Sequence, residues 1–323
     1  MKVGVIGVGY LGKYHAQKYS GMKDVELVGV ADVDPLIAEA VASENNCRAF
    51  SNYHELLQLV DAVSVVVPTT YHHKVALDCI DAGVDMLMEK PITTTVEEAD
   101  EIIDKAERKK LIMQVGHLER FNPAVEAMVP SLTVPVFIES QRISTFKNRG
   151  VDVDVVLDLM IHDIDIILNI IKSPLETIHT VGAPVVTDYT DIANARLIFE
   201  NGATANVTVS RIARTNTRRM RIFQPGSMIN VDFANRKVMT IHLKKGEFQT
   251  NGMPKQDVLV RSFPEGDALN SEILHFVENV RNRTSPLVSG NEGRRALNVA
   301  LQVIRQIKNH QKLGVYAEDM SAK

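Results

Sequence analysis

Tryptophan is absent from the 323 residues, and aromatic residues make up only 5% of them. Binding by broad aromatic stacking is therefore not expected. Cysteine occurs twice, as Cys47 and Cys79, far apart and outside any C-x-x-C or Cys/His cluster. That spacing suggests neither a disulfide framework nor a metal site, and a reducing compartment is expected. Nowhere do roughly 18–20 apolar residues follow one another, so no membrane span is expected. The opening Met1-Lys2-Val3-Gly4-Val5-Ile6-Gly7 turns glycine-rich and polar too soon for a signal-peptide core, which makes the cytoplasm the expected location. Charge of one sign is not in excess either: 36 Lys and Arg face 40 Asp and Glu, a net charge of -4. Bulk electrostatics give no drive toward nucleic acid or an anionic membrane.

What is present is an ordinary globular composition, 45% hydrophobic and 24% charged, at a length that favours two domains. Up to about residue 120, short β-branched runs alternate with amphipathic helical stretches, the pattern of a parallel sheet wrapped by helices. Strands are expected at Lys2–Ile6, Val25–Ala31, Arg48–Phe50, Ala62–Val67, Asp85–Met88 and Leu111–Val115. Thr95-Val96-Glu97-Glu98 reads as a capping box opening a helix with Ala99, Ile102, Ile103 and Ala106 on one face. After Phe121-Asn122-Pro123 the pattern changes. A strand from Val136 and an apolar helix over Val155–Ile171 precede a meander: Ile192–Phe199, Thr204–Ser210, Arg219–Phe223, Met228–Phe233 and Val238–His242. Helices over Ala268–Arg283 and Gly290–Gln311 follow. The outer face of the meander, assigned Val207 and Val209, is expected to need a partner copy.

Gly7-Val8-Gly9-Tyr10-Leu11-Gly12 fits G-x-G-x-x-G, follows a strand and opens a helix. In that context Gly7 takes a tight turn, Gly9 admits a pyrophosphate and Gly12 lets helix and strand pack closely. Asp32, 20 residues after Gly12 at the end of the second strand, can accept ribose hydroxyls and would repel a 2′-phosphate, favouring NAD over NADP. Glu89-Lys90-Pro91 ends a strand at the carboxyl edge of the sheet, where Pro91 restricts Lys90 and can hold a cis bond. A plain surface lysine fits that spacing equally well. On the helix from Val155, Asp158, His162, Asp165 and Asn169 recur along one face beside an apolar stripe. The column is either a solvated face or an acid/base imidazole with a carboxylate to orient it. Spacing alone does not choose.

Taken together, Gly7–Gly12, Pro68-Thr69-Thr70-Tyr71-His72, Glu89-Lys90-Pro91, Gly116-His117-Leu118-Glu119-Arg120-Phe121-Asn122-Pro123 and Asp158-Leu159-Met160-Ile161-His162 resemble the glucose-fructose oxidoreductase/inositol dehydrogenase/rhizopine catabolism (Gfo/Idh/MocA) family. The resemblance implies an N-terminal Rossmann domain over 1–120. It implies a C-terminal α/β domain with a mostly antiparallel, open-faced sheet over 121–323, whose last helix can pack back on the first domain. It also implies an NAD-dependent oxidoreductase acting on a sugar hydroxyl, with Lys90, Asp158 and His162 catalytic. Cofactor contacts fall to Gly7, Gly9, Tyr10, Leu11, Gly12, Asp32, Pro68, Thr69, His72, Glu89 and Lys90. Substrate contacts fall to Arg120, Asn122, Lys147, Arg149 and His162, and family members commonly form homodimers or homotetramers. Thr69 departs from the usual Asn, and Val151-Asp152-Val153-Asp154-Val155 replaces a common glycine run. That Val151–Val155 form, with Asp158-Leu159-Met160-Ile161-His162-Asp163-Ile164-Asp165 and Gly116-His117-Leu118-Glu119-Arg120-Phe121-Asn122-Pro123, looks most like a subgroup acting on UDP-N-acetylglucosamine. A nucleotide sugar needs cations for its diphosphate, and Lys147, Arg149, Arg211, Arg214, Arg218, Arg219 and Arg221 are candidates. Two alternatives stay open: a free-sugar or inositol dehydrogenase, and a non-catalytic NAD(P)-sensing regulator.

Overall fold

The computed structural model describes residues 1–146 and 153–313. They divide into two units, Met1–Leu118 with Asp267–Leu297, and Glu119–Gly266 with the residues from Asn298 onward. The first unit alternates β1 (Lys2–Ile6), α1 (Gly12–Ser20), β2 (Glu26–Ala31), α2 (Pro35–Glu44), β3 (Arg48–Phe50), α3 (Tyr53–Leu57), β4 (Ala62–Val65), α4 (His72–Ala82), β5 (Asp85–Glu89), α5 (Val96–Arg108) and β6 (Met113–Gly116). Its sheet is parallel, in the order β3-β2-β1-β4-β5-β6, that of a Rossmann fold. Strands buried on both faces explain the unbroken apolar runs read from the sequence. The capping box forms: Thr95 accepts from the Glu98 N–H, Glu98 accepts from the Thr95 N–H, and Ala99, Ile102, Ile103 and Ala106 are buried.

The second unit runs through α6 (Pro123–Met128), β7 (Phe137–Thr145), a π turn at Val156–Met160 continuing into α7 (Ile161–Ile170), β8 (Leu175–Ala183), β9 (Ile192–Phe199), β10 (Thr204–Ala213), β11 (Thr217–Gln224), β12 (Ser227–Asp232), β13 (Lys237–Phe248) and β14 (Pro254–Ser262). Two helices end the described chain: α8 (Ala268–Asn282), in the first unit, and α9 (Gly290–Leu313), within which the division between units falls.

The expected simple meander is corrected here. The order is β14-β13-β12-β11-β7-β10-β9-β8, with β7 inserted between β11 and β10 and parallel to β10. The edge strands β8 and β14 were not expected, because their alternation is half polar and carries no strong apolar signal. The oligomer argument from Val207 and Val209 also falls: both are fully buried within the single chain. On β10 they share a face with Ala205, while Thr204, Asn206 and Thr208 point the other way. That opposite face is polar, tied by Arg219 to Gln141, Arg221 to Glu139 and Asn194 to Thr208.

Residues 267–297 belong to the first unit, a further difference from a single cut near residue 120. The cause is apolar: Ile273, Phe276, Val277 and Val280 of α8 join Val3, Val5, Val30 and Leu87 in one core. α8 also buries Glu272 completely. Its backbone carbonyl accepts from Gln114 Nε2, but neither carboxyl oxygen has a hydrogen-bond partner among the described residues. Burial, reinforced by the Glu89 carboxylate, pushes the Glu272 carboxyl well above the usual range, so it is held as the neutral acid. The folded state thus keeps a proton that the unfolded chain gives up above the ordinary carboxylate range. The stability contribution is present below that range and is lost as pH rises toward the folded-state value. Glu272→Gln, which cannot ionise, is expected to melt higher than the parent by a margin that widens between about pH 5 and about pH 8. Parallel melting curves across that window would show that Glu272 carries no retained proton.

Candidate active site

The carboxyl edge of the parallel sheet gathers the motif residues of the first unit. Strand order reverses between β1 and β4, and ligands of open α/β sheets bind beside such a reversal. β1 leads into Gly7, whose φ of +83° suits glycine and whose N–H donates to Ala31 O at 2.8 Å. A Cβ on Gly7 would sit 2.7 Å from Val66 O, and one on Gly12 only 1.9 Å from Gly7 O. A Cβ on Gly9 would meet nothing within 4 Å. Gly7 and Gly12 are therefore demanded by the fold, whereas Gly9 faces open space, as close approach of a ligand requires.

α1 begins at this turn with no side-chain cap and no acidic residue in its first turn. Its N-terminal N–H groups and positive dipole end suit a pyrophosphate. Tyr10 is 60% exposed beside them. Asp32 accepts from Val8 N–H at 2.8 Å through one carboxylate oxygen and from Asp34 N–H at 3.0 Å through the other. The glycine turn and the ribose-directed carboxylate are thus one hydrogen-bonded piece, and each oxygen keeps lone-pair capacity for a hydroxyl. These residues fit NAD.

Two loops complete the edge. After Pro68, a short 3₁₀ turn spans Thr69–Tyr71. His72 was expected to touch cofactor but is 1% exposed. Its Nδ1 lies 2.8 Å from Pro91 O and its Nε2 2.9 Å from Val67 O, so the ring ties the Pro68 loop to the Lys90 loop. Burial pushes its pKa down, with the two carbonyls opposing. Lys90-Pro91 is the cis peptide bond that the proline allowed. Glu89 Oε2 accepts from the Lys90 N–H, and Glu89 Oε1 lies 3.2 Å from His15 Nε2. Burial acts to raise the Glu89 pKa, but the hydrogen bond and attraction of His15, then the Lys90 ammonium and N–H, bring it below the usual range.

In the second unit, Asp158 lies within the π turn and His162 in the first turn of α7. Both keep part of their surface exposed, whereas Met160, Ile161, Asp163 and Ile164 are buried. The polar column read from the sequence is not a solvated face. Asp165 is 3% exposed and pairs with the buried Arg120. Asp163 is held bidentately by Arg142, at 2.8 and 3.2 Å, and accepts from Ser140 Oγ at 2.9 Å. Arg142 also reaches Glu119 at 2.7 Å, and the two carboxylates raise its pKa against the opposing effect of burial. Bidentate geometry and full pairing let this buried cluster persist, since removing one member leaves an uncompensated charge.

Arg120 and Asn122, expected to contact substrate, are interior. Asn122 caps α6 through Ala124 N–H and donates to Glu119 and Phe233 O. Arg211 is likewise buried, bonded to Val153 O and Thr190 O beside Asp191. Arg219 and Arg221 lie on the polar sheet face, and Arg214 and Arg218 are exposed. Lys147 and Arg149 lie outside the described residues. Sequence reasoning missed Arg142, Asp163, His15, Ser64 and Glu272. The available signal was two acids, at 163 and 165, inside an otherwise apolar helix, a pattern that demands buried cationic partners.

Residues 1–117 match the family model described as an oxidoreductase family with an NAD-binding Rossmann fold, and residues 136–229 match the GFO/IDH/MocA C-terminal domain. The UDP-N-acetylglucosamine 3-dehydrogenase of Acidithiobacillus ferrooxidans is 40% identical over 304 residues, 94% of this chain and 96% of that one. The chain belongs to the Gfo/Idh/MocA family. A solved structure of the Acidithiobacillus enzyme superposes with a TM-score of 0.88 at 38% identity, covering 96% of this chain and 98% of that one. Inositol 2-dehydrogenase of Rhizobium meliloti is 25% identical over 330 residues, 98% of this chain and 99% of that one. This Gfo/Idh/MocA protein is accordingly an oxidoreductase with an NAD-binding first unit. Among its described residues, no helix is long and apolar enough to cross a membrane.

The glycine geometry separates fold from ligand. Gly9→Ala is expected to leave stability within about 1 kcal/mol of the parent while weakening NAD binding at least about tenfold, measured by calorimetric titration. Gly12→Ala is expected to lose at least about 3 kcal/mol in denaturant unfolding. Equal effects of the two substitutions on stability would contradict the assignment.

Proposed function

We propose that the protein oxidises the 3-hydroxyl of UDP-N-acetylglucosamine to a ketone, with NAD as acceptor. The observation that carries the reading is the 40% identity with the Acidithiobacillus enzyme over nearly the whole of both chains, against 25% for the inositol dehydrogenase. In this reading the Gly7–Gly12 turn and Asp32 would hold NAD, which would supply the hydride acceptor. His162 takes the hydroxyl proton, Lys90 stabilises negative charge developing on the same oxygen, and Asp158 orients the imidazole and favours its protonated form. Lys147 and Arg149 are proposed for the diphosphate, while Arg120 and Asn122 act indirectly by fixing the packing around α7 and α6.

Absorbance at the NADH band tests this with NAD and a panel of UDP-sugars, free sugars and inositols. UDP-N-acetylglucosamine is expected to give the highest kcat/KM. Lys90→Met and His162→Asn are each expected to lower kcat by about 100-fold or more with NAD affinity nearly unchanged. Preference for an inositol or a free sugar would overturn the substrate. Silence across the panel, with NAD still bound, would favour a regulatory role.

A further inference from the structure

Behind the Lys90 turn lies a continuous buried chain of hydrogen bonds that the proposed reaction does not use. Tyr19 OH is 2.9 Å from Ser64 Oγ, Ser64 Oγ is 3.1 Å from His15 Nδ1, and His15 Nε2 is 3.2 Å from Glu89 Oε1. The other Glu89 oxygen accepts from the backbone N–H of Lys90. Tyr19, Ser64 and His15 are fully buried. Because an ionised carboxylate only accepts, His15 Nε2 carries a hydrogen. In the neutral tautomer Nδ1 can accept from Ser64 Oγ, which can in turn accept from Tyr19 OH, so a single orientation of the hydroxyl hydrogens satisfies the whole line.

The order of groups is that of a hydroxyl, an imidazole and a carboxylate, but the hydroxyls and the imidazole are fully buried, where a nucleophile must reach its substrate. At its far end the chain meets the backbone N–H of Lys90 and so fixes a main-chain position. What it does is mechanical. His15 and Tyr19 both stand on α1, the helix that the glycine turn opens, so the line joins the pyrophosphate-directed turn to the Lys90 turn across β4. The Glu89 carboxylate occupies the space that a side chain at position 116 would need: a Cβ on Gly116 would stand 3.1 Å from its carboxyl carbon and both oxygens. The ionisable groups around the line are Tyr19 and His15 of α1, Glu89 at the end of β5 with Lys90 after it, and Glu272 of α8. Glu272 stays neutral, leaving Glu89 as the ionised carboxyl.

We propose that His15 is a positioning residue for Lys90, locking the Glu89 carboxylate so that the Lys90 turn is held in register with the glycine turn. This rests on the reading of Lys90 as the group that contacts the reacting oxygen. The test uses the full-length protein with NAD and UDP-N-acetylglucosamine. His15→Leu, which deletes the bond to Glu89, is expected to lower kcat about 10- to 100-fold, with the dissociation constant for NAD and KM for the sugar nucleotide within about threefold of the parent. His15→Gln, whose amide N–H can still donate to Glu89, is expected to recover most of kcat. Unchanged kcat in a cooperatively melting His15→Leu protein would overturn the proposal. So would a joint loss of NAD affinity and kcat that His15→Gln does not repair, since that marks a residue holding the fold alone. If His15→Leu does not fold, Ser64→Ala decides, because it breaks the line one bond further away. A kcat loss with NAD affinity kept supports the proposal, and no kcat loss overturns it. Lys90→Met separates the levels: full activity there removes the role of Lys90 itself, whatever His15→Leu shows.

Discussion

The first unit depends on a backbone contact that admits no side chain. A Cβ on Gly12 would stand 1.9 Å from the carbonyl oxygen of Gly7, and a Cβ on Gly7 would strike the carbonyl of Val66. That closeness brings the start of α1 against the ends of β1 and β4, and the rest follows from it. The uncapped N-terminus of α1 is aimed at one spot. Asp32 is tied to the turn through Val8. His15, on the next turn of the same helix, is delivered to Glu89 beside Lys90. The dinucleotide turn and the lysine turn are therefore parts of one packed object, and a change in either is felt through main-chain geometry.

The second unit solves a different problem with charge. α7 is apolar nearly all round, yet two acids on it, Asp163 and Asp165, are buried. Each is matched by an arginine, Arg142 and Arg120, and Glu119 completes the pairing of Arg142. Replacing one member with an apolar residue would strand its partners, so the cluster specifies how α7 sits on the sheet more than it adds stability. The π turn preceding α7 shifts the helical phase just where Asp158 and His162 keep partial exposure. Such turns recur at functional sites because they re-aim side chains without ending the helix.

Much of the parallel unit was legible in the amino-acid sequence because its signals are local and physically strict. The glycine spacing, the capping box at Thr95 and the apolar strands each admit few alternatives, and strands such as Lys2–Ile6 and Arg48–Phe50 match residue for residue. The second sheet was harder to read. Inserting β7 between β10 and β11 is a long-range choice with no local signature, and β8 and β14 are edge strands of mixed polarity. The burial of several motif residues was hidden for a related reason. His72, Arg120 and Asn122 lie in motifs, and a motif shows that a residue matters without showing whether it touches ligand or braces the loops that do. Val207 and Val209 were assigned to the wrong side of the sheet because alternation reveals two faces but not which of them the helices cover.

The proposed oxidation moves hydride from C3 of the nucleotide sugar to NAD, a step that isotope transfer reads out. UDP-N-acetylglucosamine carrying deuterium at C3 would be incubated with the protein and NAD, and both products analysed by mass spectrometry. The deuterium is expected to leave the sugar, appear in the reduced nicotinamide, and slow the reaction when chemistry limits the rate. Formation of unlabelled NADH with the deuterium still on the sugar would contradict it.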